Sequence, residues 1–160
     1  MRHLLAISLT AAMLGTLPVH ADTILSTAAL EGDLALVQQH VKAGGNVNDV
    51  DKWGWTALTW AVYYNQPRVV KWLLENGADP NFRTVRAYGD FYPGTTAVIL
   101  AGYYGYDEIL KELLKYRADT TVTDVHGKTA LDYAKKFNFD ACVVLLQAPA
   151  TATTGSQTRR

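Results

Sequence analysis

Apolar residues along this chain recur at helical spacing in short blocks, and polar turns separate the blocks. In one block Leu58, Ala61, Val69, Val70, Leu73 and Leu74 fall where two short helices would turn them toward neighbouring elements. The blocks return at a fixed phase. Thr56 to Ala61 reads TALTWA, Thr96 to Ala101 reads TAVILA and Thr129 to Ala134 reads TALDYA. The last two copies lie 33 residues apart and the first two 40, so a 33-residue period carries one insertion of seven. Thr23 to Ala28, TILSTA, extends the register one period upstream. A period of this size marks stacked repeats, and four units follow from it. Four residues after each motif alanine stand Gly32, Asn65, Gly105 and Asn138. Glycine, and next to it asparagine, enters the left-handed conformation most cheaply at a helix end.

At these residues the chain resembles the ankyrin repeat family, whose unit is a turn followed by two antiparallel helices, with T-P-L-H-x-A opening the first. Gly54 precedes one copy of the motif, LLENGADPN from Leu73 to Asn81 follows it, and LLKYRAD from Leu113 to Asp119 repeats that ending. The family's proline is alanine or isoleucine in every copy. Its histidine is replaced by Ser26, Thr59, Ile99 and Asp132, which is expected to weaken the hydrogen bonds that open each first helix. The resemblance implies an all-α ankyrin repeat solenoid over residues 22–147, with units at about 22–50, 51–83, 91–123 and 124–147.

In unit one, helices are expected around Ser26 to Leu30 and Asp33 to Lys42, ended by Gly44 and Gly45. Pro67 falls at the opening of a second helix, where a missing amide donor costs little. Arg117 stands where unit two has Gly77, a substitution that costs about 1 kcal/mol if the left-handed geometry is kept. The insertion, residues 84–90, is expected to lengthen one finger of the stack. It is either a tolerated surface loop or a binding loop carrying Arg86 and Tyr88. Residues 148–160 are small, polar and unpatterned and read as a disordered tail.

The N-terminus changes the setting. Residues 1–21 begin with Arg2 and His3, run apolar from Leu4 and finish with Val19 and Ala21 at the −3 and −1 places, the pattern of a secretory signal peptide. The expectation is cleavage after about Ala21 and a periplasmic or secreted protein. Ser8, Thr10, Gly15 and Pro18 interrupt the apolar run, which is short for a bilayer span, so no membrane insertion is expected after cleavage. The 15 basic and 15 acidic residues of the whole chain leave no support for a nucleic-acid partner. The single cysteine, Cys142, excludes an internal disulfide and sits among Val143, Val144, Leu145 and Leu146 as a packing residue.

Candidate chemistry lies on one side. Ankyrin stacks bind proteins on the side formed by their turn fingers and first helices. In register with that side come Tyr63 with Tyr64, Tyr103 with Tyr104, and Lys136 with Phe137, while the fingers add Lys52, Trp53, Trp55, Arg83, Tyr92, Thr95, His126 and Lys128. Large amphipathic rings and arginine dominate protein interface hot spots. The expected partner-binding set is therefore Trp53, Trp55, Tyr63, Tyr64, Arg83, Arg86, Tyr88, Tyr92, Tyr103, Tyr104, Lys136 and Phe137, with Trp60 and Trp72 as packing residues. A second reading takes the same Trp and Tyr rows as a glycan or peptidoglycan platform. No nucleophile elbow, metal-spaced set or phosphate loop occurs, so no catalysis, metal or cofactor is expected. The exported chain is expected to act as an accessory or inhibitor of a secreted enzyme, monomeric when unbound.

Overall fold

The computed structural model describes residues 21–148, with side chains from residue 24 onward. The expected leader lies outside the described residues but for Ala21, and the expected tail lies outside them but for Ala148. The described chain forms eight helices: α1 (Ala21–Glu31), α2 (Leu34–Lys42), α3 (Ala57–Tyr63), α4 (Pro67–Glu75), α5 (Ala97–Tyr104), α6 (Asp107–Lys115), α7 (Ala130–Lys136) and α8 (Asp140–Gln147). The first helix of unit one thus starts five residues earlier than the sequence pattern placed it. The first helices α1, α3, α5 and α7 pack side by side in one layer, and α2, α4, α6 and α8 form a second. Leu58, Leu73, Ile99, Leu100, Ile109, Leu110 and Leu113 fill the space between the layers.

The turn residues behave as their chemistry requires. Gly32, Asn65, Gly105 and Asn138 have φ of +76°, +54°, +74° and +58°, and Arg117 takes the left-handed conformation of Gly77 with φ +62°. Pro67 opens α4. The helix-opening hydrogen bonds correct the expectation in two units. Thr56 Oγ1 accepts from Thr59 N at 3.3 Å and lies 2.9 Å from Thr59 Oγ1. Thr129 and Asp132 form a full capping box. Threonine and aspartate therefore replace the family's histidine without loss of the cap. Among the units whose motif threonine is described, the expected weakening occurs in unit three, where the place holds Ile99: Thr96 makes no cap hydrogen bond, and its buried hydroxyl has no partner.

Neighbouring units are tied by a repeated asparagine. Asn48 Oδ1 accepts from Asp79 N at 2.8 Å, and one period later Asn81 Oδ1 accepts from Asp119 N at 2.7 Å.

The insertion does not lengthen a finger. It folds back as a strap over units two and three. Thr84 is buried and exchanges backbone bonds with Thr95 O and Gly94 N, Val85 N donates to Gly54 O, and Tyr88 pairs with Phe91. Arg86 Nη1 donates to Lys52 O at 2.8 Å, and Trp55 Nε1 donates to Arg86 O at 3.2 Å. The strap lies so close to the unit-two turn that a Cβ on Gly54, φ +77°, would come within 2.9 Å of Arg86 N. Burying the Tyr88 ring against Trp55 and Trp60 is the driving force a solvent-projected loop would forgo.

Candidate functional site

The first-helix layer and its fingers carry one continuous band of rings. From unit two it runs Trp53, Trp60, Trp55, Tyr88, Tyr63 and Tyr64, with neighbouring centroids 4.6 to 6.2 Å apart. Tyr63 meets Tyr104 at 5.7 Å and Phe91 at 5.9 Å, which carries the band into unit three. Phe91 meets Tyr103 at 5.0 Å, and Tyr103 meets both Tyr133 and Phe137 of unit four at 5.1 Å. Most contacts are edge to face, the arrangement the ring quadrupole favours. The fixed phase explains the band, because it repeats an aromatic pair at the end of α3 and again at the end of α5.

Two carboxylates anchor this band. Asp51, buried, accepts from Trp53 N at 3.0 Å, Trp55 N at 3.1 Å and Trp60 Nε1 at 2.6 Å. Asp124, at the same phase in unit four, accepts from His126 N at 2.8 Å, Lys128 N at 2.9 Å and the Tyr133 hydroxyl at 2.5 Å. In both units the ring donor stands nine residues after the aspartate, a spacing visible in the sequence. Unit three replaces the pair with Phe91 and Leu100, both buried. Asp124 and His126 thus serve the turn, as turn chemistry predicts.

The expected binding residues divide by exposure. Tyr92 is 50% exposed, Tyr64 44%, Trp53 38% and Phe137 37%, while Lys136, Arg83 and Arg86 are also exposed. Trp55 corrects the expectation: it is fully buried, sandwiched against Trp60 with its indole N–H spent on the strap. Thr95, also expected on the finger surface, is buried and bonded to Thr84 and Tyr92 O. Tyr63, Tyr88, Tyr103 and Tyr104 are half-buried, because the helix-end pairs and Tyr88 pack ring against ring. Trp60 is buried as expected, and Trp72 is half-buried. Arg83 Nη2 donates to Thr123 O at 3.1 Å and so bridges units. Sequence reasoning missed Phe91, Tyr106, Tyr133 and Phe139 as members of the band.

The phenols are held neutral. Burial, then the neighbouring Tyr88 hydroxyl, pushes Tyr64 from 10.0 to about 12. Burial and Tyr63 push Tyr104 and Tyr106 up, and burial followed by the Asp124 carboxylate does the same to Tyr133. Burial opposes ionisation of Asp124, but the Tyr133 hydroxyl and the Lys128 and His126 N–H groups hold its carboxyl below the ordinary 3.8. The Cys142 thiol is buried and pushed up by that burial, which leaves no activated nucleophile there. Among the described residues no group of three or more His, Cys, Asp or Glu is placed to hold a metal ion, and no helix is long and apolar enough to cross a membrane.

Two-layered helix pairs in a fixed register, with a ring-lined first layer, define a helical repeat protein. Residues 5–84 match the family model described as ankyrin repeats (3 copies), and residues 92–134 match that described as ankyrin repeats (many copies); the chain belongs to the ankyrin repeat family. It is 38% identical over 99 residues to glycerophosphocholine phosphodiesterase gde1 of Schizosaccharomyces pombe, covering 62% of this chain and 8% of that one. It is 30% identical over 142 residues to neurogenic locus notch homolog protein 1 of Homo sapiens, covering 71% of this chain and 6% of the other. Putative ankyrin repeat protein L371 of Acanthamoeba polyphaga mimivirus is 33% identical over 114 residues, 71% of this chain and 14% of its own. The chain therefore spans a small fraction of these relatives' length. Ankyrin repeats are generally protein–protein interaction modules and typically non-catalytic.

Proposed function

We propose that the chain is an exported, non-catalytic docking module that holds a partner protein against its ring-lined side, as accessory or inhibitor of an exported enzyme. The observation that carries this reading is the continuous aromatic band across units two to four, flanked by the exposed rings of Trp53, Tyr64, Tyr92 and Phe137. Rings fixed by their neighbours lose little freedom on binding and bury much area, which is how hot spots work. Export to the periplasm or beyond rests on the leader pattern of residues 1–21.

The test is capture on the immobilised chain from envelope or secreted extract, comparing the native chain, Tyr64→Ala with Tyr92→Ala, and a second-helix control, Lys42→Glu with Lys71→Glu. The expected result is a protein retained by the native chain and the control, with affinity for the ring variant down about thirtyfold, the effect of ~2 kcal/mol. Retention unaffected by ring truncation, or ring-dependent binding to cell-wall sacculi without any protein, would overturn the reading. N-terminal sequencing of the exported protein is expected to start near Asp22, and a start at Met1 would refute the leader.

A further inference from the structure

Resting on that docking reading, we infer that the partner's counter-surface is acidic and that its carboxylates seat beside the rings, foremost in a cleft between Lys128 and Lys136 of unit four. The first observation is where charge is left uncompensated. Among the described residues the ion pairs are Lys111 with Asp107 at 2.8 Å and Lys115 with Glu112 at 3.6 Å, both on α6 in the second-helix layer. On the finger side Lys52, Arg83, Arg86, Lys128 and Lys136 are all exposed, and none has a carboxylate within 4.0 Å among the described residues. The two guanidinium groups bond only to backbone carbonyls, those of Thr123 and Lys52.

The second observation is where these cations sit. Lys52 Nζ lies 4.2 Å over the Trp53 ring and Lys136 Nζ 5.1 Å over the Phe137 ring, so each end of the aromatic band terminates in an ammonium seated on an exposed ring. A cation over a ring stays in place and keeps its outward hydrogens free for an incoming acceptor. At the unit-four end, His126, Lys128, Asp132, Tyr133 and Lys136 line a cleft of about 420 Å³. Its one exposed carboxylate is already occupied, because Asp132 Oδ2 accepts from Thr129 N and Thr129 Oγ1, both at 2.8 Å. Lys128, Lys136 and the His126 ring are thus the polar groups of the cleft left without a side-chain hydrogen bond, with the Asp132 charge beside Lys128. A carboxylate seated there meets two ammoniums, one of them over a ring, against the single negative charge of Asp132. Nucleic acid would meet the same cations, so single-stranded DNA stands in the test as the competing polyanion.

The experiment titrates the full chain with poly-L-glutamate, with poly-L-lysine and single-stranded DNA as comparisons, following amide chemical shifts. The expected result is binding of poly-L-glutamate alone, with Lys128 and Lys136 among the shifted amides and affinity falling about tenfold as salt rises from about 50 to about 300 mM. Lys128→Glu with Lys136→Glu is expected to abolish this binding. Lys42→Glu with Lys71→Glu, the same charge change on exposed positions of α2 and α4, is expected to leave it within about twofold, the shielding at that distance being strong. Circular dichroism confirms that both variants fold. Equal loss in the two variants, tighter binding of DNA, or no binding of poly-L-glutamate overturns the inference. If poly-L-glutamate fails while a captured protein still depends on Tyr64 and Tyr92, the docking reading stands and only the acidic partner falls.

Discussion

Removing the Asp51 carboxylate is expected to be among the costliest single changes to this fold that leave every helix sequence intact. Asp51→Ala leaves three donors without their acceptor: Trp53 N, Trp55 N and Trp60 Nε1. Trp53 lies at the exposed finger and can turn to water, but Trp55 and Trp60 are buried. Two stranded buried donors, each worth about 1–3 kcal/mol, less the relief of no longer burying a charge, give roughly 2–4 kcal/mol. For a domain of this size that lowers Tm by about 8–15 °C. Asp51→Asn is expected to cost nearly as much, because whichever way the amide turns, its NH2 faces a donor. Asp124→Ala, whose donors include the exposed His126 and Lys128, is expected to cost only about 1 kcal/mol. Urea and thermal unfolding followed by circular dichroism measure all three. A double-mutant cycle of Asp51→Asn with Trp60→Phe isolates the indole bond and is expected to yield a coupling of about 1–2 kcal/mol. An Asp51→Asn protein as stable as the native one, or a coupling near zero, refutes the argument that this carboxylate organises the aromatic turn.

Other consequences can be measured on the same samples. Thr96→Val removes a buried hydroxyl that bonds nothing and is expected to be neutral or stabilising by up to about 1 kcal/mol, whereas Thr56→Val and Thr129→Val remove working caps and each cost about 1 kcal/mol in the urea midpoint. Arg117→Gly relieves a side chain held at φ +62° and is expected to raise Tm by a few degrees, about 1 kcal/mol, and a fall in Tm would show that the arginine makes compensating contacts. The phenols set an alkaline limit. The fold favours protonated Tyr64, so its stabilising share is complete below its ordinary 10.0 and is lost as pH rises through about 12, with Tyr104 and Tyr133 shifted the same way. Unfolding midpoints that fall above pH 10 alongside late tyrosinate absorbance are expected, and flat midpoints would contradict the burial of these hydroxyls.

The helical layers were legible because one 33-residue phase fixes the turn glycines and asparagines, the capping threonines and the apolar sides together. The surface was less so. Trp55 and Tyr64 look alike by register, one on the finger just before the motif and the other just after it, each at a place the stack leaves open. What separates them is the strap, whose return over the unit-two finger buries one and spares the other. No periodic signal encodes an insertion, so its path, and every exposure that depends on it, had to come from the structure. The same limit applies to Thr59 and Asp132, which break the family's motif by name and keep its hydrogen bonds by chemistry.

That strap also bears on how the array unfolds. A solenoid in which each unit touches only its neighbours behaves as a one-dimensional chain of weakly coupled elements, free to fray one at a time from either end. Residues 84–91 add a second connection between units two and three, through Val85 with Gly54, Thr84 with Thr95 and Tyr88 with Phe91. Those two units should then open as a single cooperative block. Amide exchange would find one shared opening energy across α3 to α6, with units one and four exchanging sooner on either side.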